Sequence, residues 1–302
     1  MELTKNLIEP VDRAHQFKLM SDRYIRYLFI ACACLMTVII LSIIIFVGQQ
    51  GLLTFKDVSL TEFFTSAKWS PSDAKYGAFS FISGSIFVTL LAILFGAPLG
   101  LAGAIFMAKI APGWLREIMR PATDLYVAIP SVVYGFVGMT ILVPLIRVHF
   151  HASTGFGLLA AAIILAIMIL PTIISISEDA IRSVSASLEE ASLALGATRW
   201  QTIWRVLLPA ALPGISTAII LAMARAVGET MAVQMVIGNT PQIAKSLFMP
   251  TSTLPSEIVV EMGNTPFGSA WGNSLFLMAL VLLLLSLAMI LIIRRITKGR
   301  IA

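Results

Sequence analysis

Six stretches of the chain are apolar almost without interruption: residues 27–47, 86–108, 127–146, 158–177, 215–237 and 275–293. Their hydrophobic positions do not alternate every second residue, as barrel strands would, nor keep to one helical face, as a surface helix would. At ~1.5 Å rise per residue, each run crosses the roughly 30 Å of hydrocarbon in a bilayer. The pattern predicts an all-α integral membrane protein with six transmembrane helices, because a helix satisfies its backbone polar groups internally where no water is available. Polar segments divide the chain into a tail (1–26), a six-helix domain (27–293) and a second tail (294–302). Within the domain, residues 179–213 form a connection with elements of its own.

Charge sharpens this picture. With 21 Lys+Arg and 16 Asp+Glu in 302 residues, 12% of side chains are charged. Soluble domains carry about 25%, so a soluble enzyme and a disordered chain are both excluded. The net charge of +5 would fit nucleic acid if the cations formed one stripe, but they follow topology instead. Lys5, Arg13, Lys18, Arg23, Arg26, Lys109, Arg116, Arg120, Arg182, Arg199, Arg205, Arg294, Arg295, Lys298 and Arg300 fall in the tails and alternate connections. The opposite connections hold Lys56, Lys68, Lys75, Arg147 and Lys245. Both termini are therefore expected in the cytoplasm, with lipid as the surrounding partner and no nucleic acid.

The first apolar run follows a charged tail and lacks a small-x-small cleavage site, so it reads as a retained helix rather than a signal peptide. Cys32 and Cys34 lie inside it and read as packing residues. His149 and His151 have no acidic or thiol neighbour and read as a solvated loop, with no metal. Gly96 and Gly100 have the four-residue spacing that lets helices approach closely. Ser59-Leu60-Thr61-Glu62 predicts a short capped helix in the first outer loop, and residues 256–262 another in the third.

The connection 179–213 carries two cap signals. Ser187-Leu188-Glu189-Glu190 has capping-box spacing, with Ser187 as the cap and Glu190 reaching back to it. The helix then runs through Ala191 to Gly196, the residue type that most readily takes the left-handed helix stop. Ala197 comes next, and Thr198-Arg199-Trp200-Gln201 is a second capping box, predicted to open a short helix ending near Pro209. Trp200, Trp204 and Leu207 are expected to be exposed beside Arg199 and Arg205, the composition of an interface anchor.

Glu190-Ala191-Ser192, then Gly196, then Val206-Leu207-Leu208-Pro209 resembles the EAA loop of ABC importer permeases, E-A-A-x3-G-x9-I-x-L-P. Ser192 replaces the usual second alanine and Val206 the usual isoleucine. The resemblance implies a type I ABC importer permease fold. It also implies that Glu190, Ala191, Gly196, Ala197, Thr198, Arg199 and Trp200 contact a separate cytoplasmic ATPase. No G-x-x-x-x-G-K-[ST] phosphate loop occurs in the chain, so ATP-Mg is expected on that partner, with no cofactor here. The chain reads as a transport component and not an enzyme, with no catalytic residues.

Only two charges lie within the apolar runs, Arg225 and Glu229. An ionised arginine at the centre of a membrane helix costs about 2.5–3.5 kcal/mol, so it marks a functional candidate. The four-residue spacing predicts that the two pair on one face. Arg225 can then offer planar donors to an oxyanion while Glu229 keeps the empty site near neutral; a purely structural ion pair is the other reading of the residues.

The string Arg225-Ala226-Val227-Gly228-Glu229-Thr230-Met231-Ala232-Val233 resembles the R-A-x-G-E-T signature of phosphate-specific importer permeases of the PstC type, and residues 128–135 are similar to the same family. The resemblance implies a phosphate path through Arg225, Glu229 and Thr230 in the bacterial inner membrane. The implied partners are a PstA-like second permease, a PstB-like ATPase dimer and a PstS-like receptor outside. The residues themselves remain compatible with sulfate, molybdate or another small oxyanion, and with a proton-coupled secondary transporter using Glu229.

Overall fold

The computed structural model describes the backbone of residues 2–298 and the side chains of residues 24–295. The chain divides into two compact units, the first ending at Gln50 and the second beginning at Gly51. The first is the long helix α1 (Glu2–Leu52) up to that boundary, with apolar side chains exposed from Tyr24 onward and Cys32 and Cys34 as free thiols.

The second unit opens with α2 (Leu60–Thr65), whose Ser59 cap accepts the Glu62 N–H. A two-residue hairpin, β1 (Trp69–Ser70) and β2 (Lys75–Tyr76), pairs Trp69 with Tyr76. Then come α3 (Phe79–Ile105), prolonged by a π turn to Ile110, then α4 (Gly113–Ala128) and α5 (Ser131–Val137). A second π turn joins α5 to α6 (Val143–His149). The chain continues through α7 (Leu158–Arg182), α8 (Ala186–Ala194), α9 (Arg199–Thr202) and α10 (Leu208–Gly228). It finishes with α11 (Met231–Ile237), α12 (Leu254–Met262) and α13 (Ala270–Lys298). Six helical stretches among the described residues are long and apolar enough to cross a membrane: Tyr24–Lys56, Phe79–Ile110, Ser131–His149, Leu158–Arg182, Arg199–Gly228 and Ala270–Arg295.

α7 is the most buried of these and packs on α3 and α10. The glycine pair expected to permit close approach does so here. A Cβ on Gly96 would sit 2.9 Å from Ile169 Cδ1, and one on Gly100 would sit 2.6 Å from Ile173 Cγ2. Two further apolar clusters close the ends of the unit. One joins Phe63, Trp69, Phe81, Leu254 and Leu275; the other joins Ala104, Ile181, Leu207 and Ile215.

Candidate functional site

The glycine corner between α8 and α9 departs from expectation at its start. α8 begins at Ala186 with Ser185 as the N-cap, so Ser187 is not the cap and Glu190 does not reach back to it. The Ser185 and Ser187 hydroxyls lie 2.7 Å apart, satisfying each other rather than a backbone amide. The end of α8 is as predicted. Gly196 has φ +82°, its N–H donates to the Leu193 carbonyl at 2.9 Å, and the Ala197 N–H donates to that of Ser192 at 3.2 Å. These are the two bonds that close a helix on a left-handed glycine.

Thr198 forms the second cap reciprocally. Its Oγ1 accepts the Gln201 N–H at 3.3 Å, and Gln201 Oε1 accepts the Thr198 N–H at 2.9 Å. Two contacts that the sequence did not announce brace the corner. The Ser192 hydroxyl lies 2.9 Å from that of Thr202, a tie between α8 and α9 that alanine could not make. Lys109 Nζ lies 2.6 Å from Glu189 Oε2, pinning α8 to the end of α3. A lysine at a helix end facing an acidic neighbouring helix was the available signal.

The second helix is not the short one predicted. α9 passes through a π turn (Ile203–Leu207) directly into α10, so Arg199–Gly228 is one 30-residue helix that does not stop near Pro209. Pro209 offers no N–H to the Arg205 carbonyl and its ring crowds that group. The π turn absorbs the mismatch: the Leu208 N–H bonds the Ile203 carbonyl five residues back. Leu207 is correspondingly buried, not exposed. The exposed apolar set is Leu188, Leu193, Leu195, Trp200 and Trp204, with Leu195 at 90% exposure and the two indole rings 5.7 Å apart, edge to face. Beside them a groove of ≈ 450 Å³ opens between Lys109, Glu189, Leu193, Arg199 and Trp200. Glu190, Ala191, Gly196, Thr198, Arg199 and Trp200 are exposed and Ala197 is half-buried, so the structure brings the predicted corner residues together on one surface.

The far end of the same helix carries Arg225, half-buried in the last turn of α10, where a cation meets the negative end of the helix dipole. The expected Arg225/Glu229 pairing is not formed. The helix ends at Gly228, Glu229 is extended (φ −69°, ψ 125°), and no ion pair joins the two among the described residues. A four-residue spacing places side chains together only while the helix continues. Instead, Glu229 Oε1 accepts the Ala232 N–H at 3.3 Å in the first turn of α11, and the Thr230 hydroxyl donates to the Gly228 carbonyl at 3.2 Å. Both bonds replace helix bonds lost at the break.

A second break lies between α4 and α5, at Ile129–Pro130. Pro130 cannot donate to the Tyr126 carbonyl, which instead receives the Tyr134 hydroxyl at 2.7 Å. α5 packs on α11, a Cβ on Gly135 falling 3.0 Å from Ala232 Cα, so two interrupted helices meet beside the residues of the proposed path. No group of His, Cys, Asp or Glu fit to hold a metal occurs among the described residues.

The sequence profile of the binding-protein-dependent transport system inner membrane component matches residues 100–301, which include both the corner and the break. The chain belongs to this family of ABC importer permeases. A probable ABC transporter permease of Bacillus subtilis, YqgH, is 52% identical over 91% of this chain and 90% of its own length. The phosphate transport system permease PstC of Mesorhizobium japonicum is 36% identical over 87% of this chain and 86% of its own. Among solved structures, the permease fold recurs in a bacterial alginate ABC transporter bound to its periplasmic protein. That chain has a TM-score of 0.62 at 18% identity, over 90% of this chain and 96% of that one. The inward-facing MetNI methionine transporter gives 0.54 at 24%, over 72% and 93%. The likeness to these two establishes the fold: six membrane-crossing helices of a type I importer permease. As a permease of this family, the chain is a multi-pass transport subunit and not an enzyme.

Proposed function

We propose that this permease moves inorganic phosphate inward across the bacterial inner membrane, driven by ATP hydrolysis on a separate subunit. The observation that carries the reading is the single helix Arg199–Gly228, which has the glycine corner at one end and Arg225 with the Gly228 break at the other. At 1.5 Å per residue those ends lie roughly 40 Å apart, so one rigid element joins an exposed docking surface to a cation within the membrane. The distribution of cations supports a cytoplasmic position for both termini and the corner, and in this reading Glu190, Ala191, Gly196, Ala197, Thr198, Arg199 and Trp200 meet a PstB-like ATPase dimer that holds ATP-Mg. The PstC-named relatives support phosphate as cargo, a PstA-like subunit as the other half of the channel and a PstS-like receptor on the outer face. Arg225 donates to the oxyanion, and Glu229 and Thr230 shape its path at the helix break.

The test is phosphate uptake by the complex in proteoliposomes. Arg225→Gln is expected to abolish uptake while the subunits still co-purify. Undiminished uptake would remove Arg225 from the path, and equal competition by sulfate or molybdate would overturn the cargo.

A further inference from the structure

The glycine corner is joined to the membrane helices in two ways, and only the passage from α9 into α10 is covalent. No residue of α8 is buried, so packing alone does not fix where that helix lies. Among the described residues, its polar ties to other elements are the Ser192 hydroxyl on Thr202 of α9 and the Glu189 carboxylate on Lys109. Lys109 stands in the π turn Phe106–Ile110 that prolongs α3. Its side chain is 20% exposed and that of Glu189 35%, so water screens this pair less than Arg120 and Asp179, at 50% and 57%.

The π turn is itself clamped. The Ala111 N–H bonds the Phe106 carbonyl five residues back, and Pro112 has no N–H, so the Met107 carbonyl is left without a helical donor. Two arginines from other helices take it. Arg116 of α4 donates to it from Nε at 3.0 Å, and from Nη2 to the Ala111 carbonyl at 3.3 Å. Arg182, at the end of α7, donates to the Met107 carbonyl from Nη2 at 3.4 Å. The same Nη2 lies 2.7 Å from Oε1 of the buried Glu178, a charge contact outside hydrogen-bond alignment. One carbonyl therefore gathers α3, α4 and α7. Ala108 of this turn packs in one apolar cluster with Ile203 and Leu207 of the π turn between α9 and α10.

We propose that Lys109 and Glu189 are positioning residues of a second coupling linkage, which carries motion of α8 into the end of α3 and through the Met107 carbonyl into α4 and α7. The inference rests on the glycine corner docking a separate ATPase. Holding the corner in shape does not require the pair. The Gly196 bonds, the Thr198 cap and the Ser192 to Thr202 contact do that, and none of them involves Lys109 or Glu189. With the pair intact, α9 moves α10 while α8 moves the junction of α3, α4 and α7, and the two displacements stay in step. With it broken, only α10 follows the corner. The ATPase then still docks, because Gly196, Arg199 and Trp200 are untouched, but fewer hydrolysis events move phosphate.

The test measures phosphate imported and ATP hydrolysed in the same proteoliposomes holding the whole complex. Lys109→Met and Glu189→Gln should each raise the ATP used per phosphate about fivefold, the upper end for an ion pair of this exposure, with the amount of co-purifying ATPase unchanged. The two changes together should cost no more than either alone, since each removes the same linkage, and Lys109→Arg, which keeps the charge, should match the wild type. An unchanged ratio in either single variant would overturn the linkage, as would losses that add. Loss of bound ATPase in proportion to the loss of uptake would also overturn it, marking a pair that only holds the docking surface. A wild-type permease with which no ATPase co-purifies would overturn the docking reading, and the linkage with it.

Discussion

Replacing Gly196 separates backbone strain from surface contact at the glycine corner. No atom lies within 4 Å of a Cβ built there, so a side chain meets open space and the penalty comes from φ +82° alone. A left-handed conformation costs an L-residue about 1–2 kcal/mol, less for asparagine and more for a β-branched residue. Against that strain stand the Thr198 cap, about 1 kcal/mol, and the Ser192 to Thr202 bond, of similar size. The two terms are comparable, so substitution shifts the corner toward other conformations instead of unfolding the bundle. A change of 1–2 kcal/mol is a factor of about 5–30 in population. The ATPase affinity of the permease in nanodiscs should therefore fall in the order Asn, Ala, Val, with Gly196→Val at the upper end of that factor and uptake falling in parallel. An equal loss for all three would mean that any side chain obstructs the partner surface, and full binding by Gly196→Val would refute the strain argument.

The glycine face of α3 gives a second expectation: Gly100→Ala drives a Cβ to 2.6 Å from Ile173 Cγ2 and should cost about 1–3 kcal/mol in thermal unfolding. If Gly100→Ala alone leaves the melting temperature unchanged, the close approach of α3 and α7 is wrong. Glu257 of α12 adds a pH dependence. Burial raises its folded value from 4.5 to about 7, so its contribution is fully present below about 4.5 and is lost as pH rises through about 7. That loss is about 3 kcal/mol, and Glu257→Gln should flatten the corresponding slope of stability against pH; an unaltered slope would contradict the burial of this carboxyl.

Much of the architecture was legible because membrane helices are written in continuous apolar runs, a signal that needs no tertiary information. The left-handed stop at Gly196 and the Thr198 cap were legible for a related reason, since both are local. The misreadings occurred where one local signal competed with another. Pro209 reads as a helix terminator, yet a single π turn carries the helix past it. Ser187 and Ser185 are both residue types that cap helices, and α8 begins directly after the earlier one. For Arg225 and Glu229 the spacing implied a pair only on the premise of an unbroken helix, and nothing in the string itself reveals the extended conformation of Glu229. The tie from Tyr134 to the Tyr126 carbonyl and the Lys109 to Glu189 pair are longer-range in sequence or depend on several coincident rotamers. No periodicity encodes them.

The uninterrupted passage from α9 into α10 matters more to the proposed coupling than either charged residue. Had the corner helix stopped at Pro209, motion of a docked partner would have been absorbed at a loose joint beneath the membrane helix. Because it continues, a tilt of about 5° imposed at Arg199 displaces the opposite end, some 40 Å away, by roughly 3.5 Å. That is enough to exchange one hydrogen-bond partner for another at Arg225. The break after Gly228 then limits how far the motion travels: α11 is held by its own packing on α5 and need not move with it. A displacement delivered to Arg225 but not to α11 changes the distance between the cation and the Glu229 side chain, which is fastened to the first turn of α11. On this geometry Gly196→Val and Arg225→Gln should fail differently despite acting on one helix. The first should weaken ATPase binding; the second should leave the ATPase bound and hydrolysing while the anion no longer has its donor.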